Sequence, residues 1–340
     1  MMTPVPAVTK VEARQLLTAQ YCLSGDLEVL RSERDQNFVV STDSGRRYVL
    51  KITNSGEDPA VTAFQTEALL HIAEVSPDLP VPRVVPNNDG DKSIEFIADD
   101  GRSHVVRLLT WLGGTPLLYA DRVPGYASML GTCLAELGHA LRDFEHPASG
   151  YALLWDLKRA ASLRKLVHCV DDADLRALCQ RRLDRFESYV LPRLDGVRWQ
   201  VIHNDLNLGN VLVDSKMPGV FAGFIDFGDL VRSPLIIDVA VACAYLPHDS
   251  NDPFSDVVEF VAAYSAVEPL EPEEVDILFD LLLTRSTMTI LITHWRVSRH
   301  PENRDYILRS EPTAQRMLEK MGNEDHAAVR ARLQAANNGH

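Results

Sequence analysis

The sequence predicts an α+β chain of two lobes, a strand-rich N-terminal lobe with one key helix and a mainly α-helical C-terminal lobe. Three observations carry that expectation. In the first 112 residues, short apolar runs end at turn residues, and a single helical pattern interrupts them. A Gly-Gly pair at 113–114 then breaks the pattern. Beyond it, apolar residues recur at helical spacing over long segments, with one strand pair between them. At 340 residues the chain exceeds one typical domain, and the lobes are expected at 1–112 and 113–340.

The elements follow in order. Residues 9–24 space Val11, Leu16, Leu17 and Leu23 helically. Three extended runs come next, LEVLRS, QNFVVST and RRYVLKIT, the last two joined by the turn DSGR around Gly45. PAVTAFQTEALLHIAEV (59–75) opens on a proline, which the first helical turn accepts, and places Val61, Phe64, Ala68, Leu69 and Ile72 on one face. LPVPRVVPN is proline-punctuated extended chain, and SIEFIA and SHVVRLLTWL are strands around the turn DDGR. After GGTP, helices are expected over 123–144, 151–169, 171–190, 254–266, 270–296 and 310–335. VIHNDLNLGNVLVD and GVFAGFIDFGD read as a strand pair joined by SKMPG, and the final ANNGH as a disordered end.

Composition sets the functional boundaries. Hydrophobic content of 46% and charged content of 24% are ordinary globular values. A formal charge of −14 argues against nucleic acid and anionic membrane surfaces, and suits an amine-bearing ligand as well as a plain acidic surface. Cys22, Cys133, Cys169, Cys179 and Cys243 form an odd, scattered set with no CxxC pair, which suggests a reducing compartment. No apolar leader core and no uncharged run of membrane-spanning length appears, so the expected location is the cytoplasm.

One segment raises a chemical question. VIHNDLNLGNVLV (201–213) puts His203, Asn204, Asp205, Asn207 and Asn210 between apolar flanks, where each polar group needs a partner if buried. Asp205 and Asn210 stand five apart, and Asp226 follows in IDFGD sixteen residues after Asn210. Phosphoryl transfer needs a carboxylate near the acceptor hydroxyl and oxygen ligands for Mg²⁺ on the nucleotide phosphates. A loop with Asp205 and Asn210, closed by Asp226 from the adjoining hairpin, supplies that set. Ordinary turn formation accounts for Asp205 and Asn210 singly, though not for their order with Asp226. His203 reads as a hydrogen-bonded loop organiser. A zinc site from His203, His139 or His294 lacks ligand-pair spacing. Asp238, inside IIDVAVACAYL, needs a partner, for which the backbone of this loop is the candidate.

The N-terminal lobe offers matching parts. Lys51 lies on a strand and Glu67 on the helix sixteen residues later, an ion-pair arrangement that could hold a lysine on nucleotide phosphates. There is no GxGxxG and no Walker lysine, so phosphate donors are sought in RSERDQNFVV, at Ser32, Arg34 and Asn37. Trp295 and Arg296 are candidates for the acceptor, since an arginine pairs well with a carboxylate, or else they are a core tryptophan beside a surface arginine.

The H-x-D-x₄-N and D-F-G order resembles the protein-kinase signature set. More closely, HNDLNLGNVLV…GFIDFGDLVRSPLIIDVAVA resembles the catalytic segment of the aminoglycoside phosphotransferase and choline kinase-like superfamily, whose members are small-molecule kinases of protein-kinase-like fold. Asn204 stands where that family usually has glycine, and Asn207 where it has a second histidine. SERDQNFVV, YVLKITN, PVPRV, VRLLTWLGGTPL and HPENRDYILRSEPTAQRMLEKM look like segments of the hydroxylysine kinase-like subgroup. The resemblance implies Asp205 as catalytic base, Asn210 and Asp226 as Mg²⁺ ligands, and Lys51 on the phosphates, positioned by Glu67. It implies a base edge against the backbone near Thr110 and Leu112, and ATP or GTP as donor. The acceptor it implies is a hydroxyl on a small amine-bearing metabolite, 5-hydroxylysine or a related hydroxy amino acid first. Aminoglycoside, homoserine and choline are alternatives, as is a catalytically silent nucleotide-binding module. A peptide-docking segment of APE type is missing after DFGD, which disfavours protein substrates. Nothing in the sequence speaks to oligomeric state.

Overall fold

The computed structural model describes residues 4–32, 34–99, 101–246, 252, 254–322 and 324–339; Glu33 of RSERDQNFVV and Asp100 of DDGR lie outside them. The chain divides into two compact units. The first holds Met1–Gly114 with two short returns, His146–Ser149 and Ala222–Ile225; the second holds Thr115–Glu145, Gly150–Phe221 and Asp226–His340. Along-chain reading has no signal for such returns.

In the first unit, α1 (Lys10–Tyr21) starts on a capping box in which Thr9 Oγ1 accepts the Glu12 N–H and Glu12 accepts the Thr9 N–H. The strands β1 (Gly25–Leu30), β2 (Gln36–Thr42) and β3 (Arg47–Ile52) form an antiparallel meander. Gly25 is required there, because a Cβ would stand 2.2 Å from Ser41 O. Next comes α2 (Pro59–Val75), opened by its proline and by Asp58 accepting the Ala60 N–H. β4 (Val84–Val85), β5 (Ile94–Ile97) and β6 (Ser103–Thr110) complete a six-stranded sheet of order β1-β2-β3-β6-β4, with β5 also on β6.

Alternation sorts the sheet's two faces. Phe38, Leu50, Ile52, Val106 and Leu108 bury against Leu16, Leu17 and Tyr21 of α1. In register on the intervening positions stand Asn37, Lys51 and Arg107. Arg107 donates to Gln65 and Thr66 of α2, so this face is the one that looks to α2. The return at 222–225 docks by the Phe224 N–H donating to Pro80 O at 3.0 Å. Gly223, at φ 150°, lets the chains approach; a Cβ would lie 2.6 Å from Pro80 O.

The second unit begins with β7 (Thr115–Pro116), paired with a later strand, and α3 (Tyr126–Leu141). Residues 151–169 were expected to be one helix; instead Leu157–Cys169 is 3₁₀. The reason is legible afterwards. Leu157, Ala160, Leu163 and Leu166 are buried at a strict spacing of three, which a three-residue turn stacks into one stripe. The expected 171–190 helix is α4 (Ala173–Arg185), continued as a π turn, Phe186–Val190, and a 3₁₀ segment, Leu191–Gly196.

β8 (Trp199–Ile202), β9 (Val211–Val213), β10 (Phe221–Phe224) and β11 (Val231–Pro234) follow. The expected strand over 201–214 is two strands, with the expected loop of Asp205 and Asn210 between them. β8 pairs with β11, while β9 pairs with β7. A turn closed by the Asp214 N–H on Val220 O leads into β10. The helices are α5 (Leu235–Ala244), α6 (Ser255–Val267), α7 (Pro272–Arg299), α8 (Arg304–Ile307), α9 (Glu311–Met321) and α10 (His326–Asn338). The expected helix over 310–335 is thus broken after Met321. Gly322 packs where a Cβ would meet Leu318 O at 2.1 Å, and Asp325 starts α10 by accepting the Ala327 N–H. The expected disorder of ANNGH is corrected over residues 336–339, where Asn337 exchanges two hydrogen bonds with the Leu270 backbone and Ala336 is buried; His340 lies outside the described residues. Among the described residues no helix is long and apolar enough to cross a membrane.

Candidate active site

The polar loop between β8 and β9 is held from below by α5. Asp238, buried among apolar neighbours, accepts the His203 N–H through Oδ2 at 3.0 Å and the Asn204 N–H through Oδ1 at 2.8 Å. Burial pushes the Asp238 carboxyl up, and the neighbouring His203 and these two N–H groups pull it back. His203 is fully buried with its ring edge-on to Phe227, centroids 4.9 Å apart, and its Nδ1 accepts the Asp205 N–H. Asn204 turns the chain at φ 64°, the left-handed region where glycine is at ease and asparagine is tolerated.

That turn projects Asp205. Its Oδ2 accepts from Asn207 Nδ2 at 3.1 Å and from Asn210 Nδ2 at 2.9 Å. The same Asn210 nitrogen donates to Asp205 O at 2.8 Å. Oδ1 accepts from Arg285 Nη2 at 3.4 Å. The carboxylate is fixed on both oxygens, yet its side chain keeps 24% exposure, enough for a ligand to reach it. Burial raises its pKa well above the usual carboxylate range, and the neighbouring Asp229 and Asp226 charges add to the rise; Arg285 and Asn207 oppose it. Asp226 takes φ 63°, ψ 71°, a left-handed backbone for a non-glycine residue at the head of the Phe227–Asp229 turn.

The donor chemistry fits a hard divalent cation. Asn210 gives both amide hydrogens' side to Asp205, and among the described residues its Oδ1 has no partner. Asp226 and Asp205 repel one another, which a cation between phosphate and protein would relieve. No three His, Cys, Asp or Glu side chains among the described residues could hold a metal by themselves. Mg²⁺ commonly uses one or two carboxylates and completes its shell with water and substrate phosphates.

Arg285 was missed by sequence reasoning. It lies in the middle of α7, 1% exposed, with Nη1 on Trp155 O at 3.0 Å and Nη2 on Tyr245 Oη at 3.1 Å as well as on Asp205. Its guanidinium lies 4.8 Å from the Trp155 ring centroid and 5.6 Å from that of Tyr245. The available signal was a lone arginine within a run of apolar and small residues, LLLTRSTMTILI, since a buried arginine requires partners. The candidates chosen instead, Trp295 and Arg296, sit about 15 Å further along the helix axis at 1.5 Å per residue. The ion pair of Asp205 is with Arg285, and Arg299 covers the Trp295 ring at 4.9 Å.

In the first unit, Lys51 is half-buried on β3 between Asn37 and Arg107. The expected Lys51–Glu67 ion pair is not among those seen in the described residues. Glu67 pairs with His146, 3.6 Å from Nε2, because the His146 ring packs on Phe64 one turn earlier on α2, centroids 5.4 Å apart. Ser32 and Arg34 lie in the β1–β2 connection, where Asn54 Nδ2 donates to Arg34 O and the Asn54 N–H to Asp35. Asn37 is buried, its Oδ1 without a partner among the described residues. At the end of β6 the Thr110 N–H and Oγ1 are both engaged by the Arg83 backbone. The Leu112 backbone makes no hydrogen bond among the described residues.

An antiparallel-sheet lobe with two capped helices, and a helical lobe carrying an anchored H-x-D-x₄-N loop and D-F-G turn, define a kinase-like phosphotransferase. Solved structures share the fold. An amicoumacin kinase in complex with AMP-PNP, Ca²⁺ and Ami superposes with TM-score 0.68 at 14% identity, over 97% of this chain and 93% of its own. A microcompartment-associated aminopropanol kinase gives 0.65 at 21%, over 93% of this chain and 99% of its own. The chain belongs to the phosphotransferase enzyme family, whose model matches residues 26–274. Among curated relatives it is similar to the hydroxylysine kinase of Xenopus laevis, 29% identical over 95% of this chain and 92% of the relative.

Proposed function

We propose that this phosphotransferase moves the γ-phosphoryl group of ATP or GTP to the hydroxyl of a small amine-bearing metabolite, with 5-hydroxylysine the first candidate. The observation that carries this is the Asp205 carboxylate, anchored on both oxygens yet accessible. The similarity to hydroxylysine kinase over 95% of the chain supports the choice of acceptor. The AMP-PNP and Ca²⁺ of the amicoumacin kinase support a nucleotide donor with a divalent cation.

In this reading Asp205 orients the acceptor hydroxyl and takes its proton as the oxygen attacks. A new O–Pγ bond forms, the bond from Pγ to the β-phosphate oxygen breaks, and the nucleoside diphosphate leaves. Asn210 and Asp226 would hold Mg²⁺, which when bound neutralises phosphate charge. Lys51 is assigned to the phosphates, Ser32, Arg34 and Asn37 to their cover, and the Leu112 backbone to the base. Asp238 and His203 keep the loop in shape, so the arrangement works by positioning. The test is a panel of hydroxylated amines, 5-hydroxylysine, homoserine, choline and an aminoglycoside, each with ATP and with GTP, read by nucleoside diphosphate release. Turnover with 5-hydroxylysine is expected; release with none of them, despite a thermal shift with Mg-nucleotide, would point to a silent binding module.

A further inference from the structure

We propose that Arg285 is a positioning residue for phosphoryl transfer, fixing through Asp205 Oδ1 the direction from which the acceptor hydroxyl approaches. This rests on the reading of Asp205 as the acceptor's base. The two carboxylate oxygens are not equivalent. Oδ2 receives two amide donors, from Asn207 and Asn210, at 3.1 and 2.9 Å, and its capacity is filled. Oδ1 receives only the longer bond from Arg285 Nη2, at 3.4 Å, and has room for one donor more. Oδ1 is therefore the oxygen that accepts the hydroxyl proton, and Arg285 is the group beside it.

Arg285 is built to stay in place. Three hydrogen bonds, to Trp155 O, Tyr245 Oη and Asp205, fix the guanidinium plane, and two aromatic rings flank it. Trp155 and Tyr245 are half-buried, so each covers the arginine with one part and presents another outward. The arginine itself, at 1% exposure, does not reach the acceptor. Its effect passes through Asp205, whose Oδ1 it donates to. A lysine in its place keeps the charge but loses the planar fork that reaches three partners at once.

The experiment is a double-mutant cycle with steady-state and single-turnover kinetics. Arg285→Lys is expected to lower kcat about 10²-fold, the scale of a displaced catalytic group, with nucleotide KM within about twofold of wild type. In an Asp205→Asn background the same substitution is expected to change residual kcat less than about threefold, because the group it acts through is already disabled. Should Arg285→Lys not fold, Tyr245→Phe, which deletes only the hydroxyl on Nη2, is read in the same cycle with a several-fold kcat loss expected. An equal loss in both backgrounds, or wild-type kcat in the single variant, overturns the proposal for Arg285. Wild-type turnover in Asp205→Asn alone overturns instead the reading on which it rests.

Discussion

Replacing Asp238 by alanine deletes one carboxylate and leaves two donors without a partner. His203 and Asn204 are 0% exposed, and their N–H groups point at Asp238 Oδ2 and Oδ1. A buried donor left unpaired costs about 1–3 kcal/mol, so the pair predicts a loss of about 2–6 kcal/mol. Against a typical stability of about 5–15 kcal/mol the variant still folds, with a lowered denaturation midpoint. Asp238→Asn keeps one acceptor oxygen and is expected to lose about half as much. Because the loop carries Asp205, turnover should fall with stability, by about 10²-fold for alanine. Urea denaturation and kcat measured on the same preparations check both numbers. A stable Asp238→Ala protein with wild-type kcat would refute the claim that α5 holds the loop.

Other perturbations test separate parts. Asn204→Gly accepts the left-handed backbone and removes a buried amide whose Nδ2 and Oδ1 both lack partners, so calorimetry should show an unchanged or higher Tm; Asn204→Ala should destabilise by about 1–2 kcal/mol through the left-handed backbone. Arg198 grips the fully buried Glu274 with Nε at 2.9 Å and Nη2 at 2.6 Å, so Arg198→Met strands that charge and should destabilise by about 3–5 kcal/mol in urea. His294 donates to Glu311 and its pKa is raised above 6.5 chiefly by that bond. Its contribution is therefore fully present below that value and lost as pH rises through the folded pKa, a slope that Glu311→Gln should flatten in stability measured across pH.

What could be read along the chain was what the chain encodes locally. The helix at 59–75 is marked by Asp58 and Pro59 at its head and by apolar spacing along its length, and α2 has those bounds. The alternation of Phe38, Val40, Leu50 and Ile52 carries the sheet's inner face, and the fold class follows from such patterns. The spacing of Asp205 and Asn210 marks a loop because five residues suffice to bring an amide back onto a carboxylate. Features set by distant segments left weaker traces. Pairing of Trp199–Ile202 with Val231–Pro234 depends on what lies between them, and nothing in either strand names its partner. Glu67 turns to His146 because residues 146–149 return to the first unit. Arg285 is visible only as an apolar helix's odd charge, and its partners come from positions 155, 205 and 245. The 3₁₀ stripe at 157–166 was spelled in threes and mistaken for the commoner period.

The most direct measurement is mass-resolved formation of the phosphorylated acceptor by wild type and Asp205→Asn, with 5-hydroxylysine and each nucleotide. The account predicts one added phosphate on the hydroxyl for wild type, and a rate about 10²- to 10⁴-fold lower for the variant, with nucleotide binding retained. Phosphorylated product appearing at the wild-type rate in Asp205→Asn would contradict it.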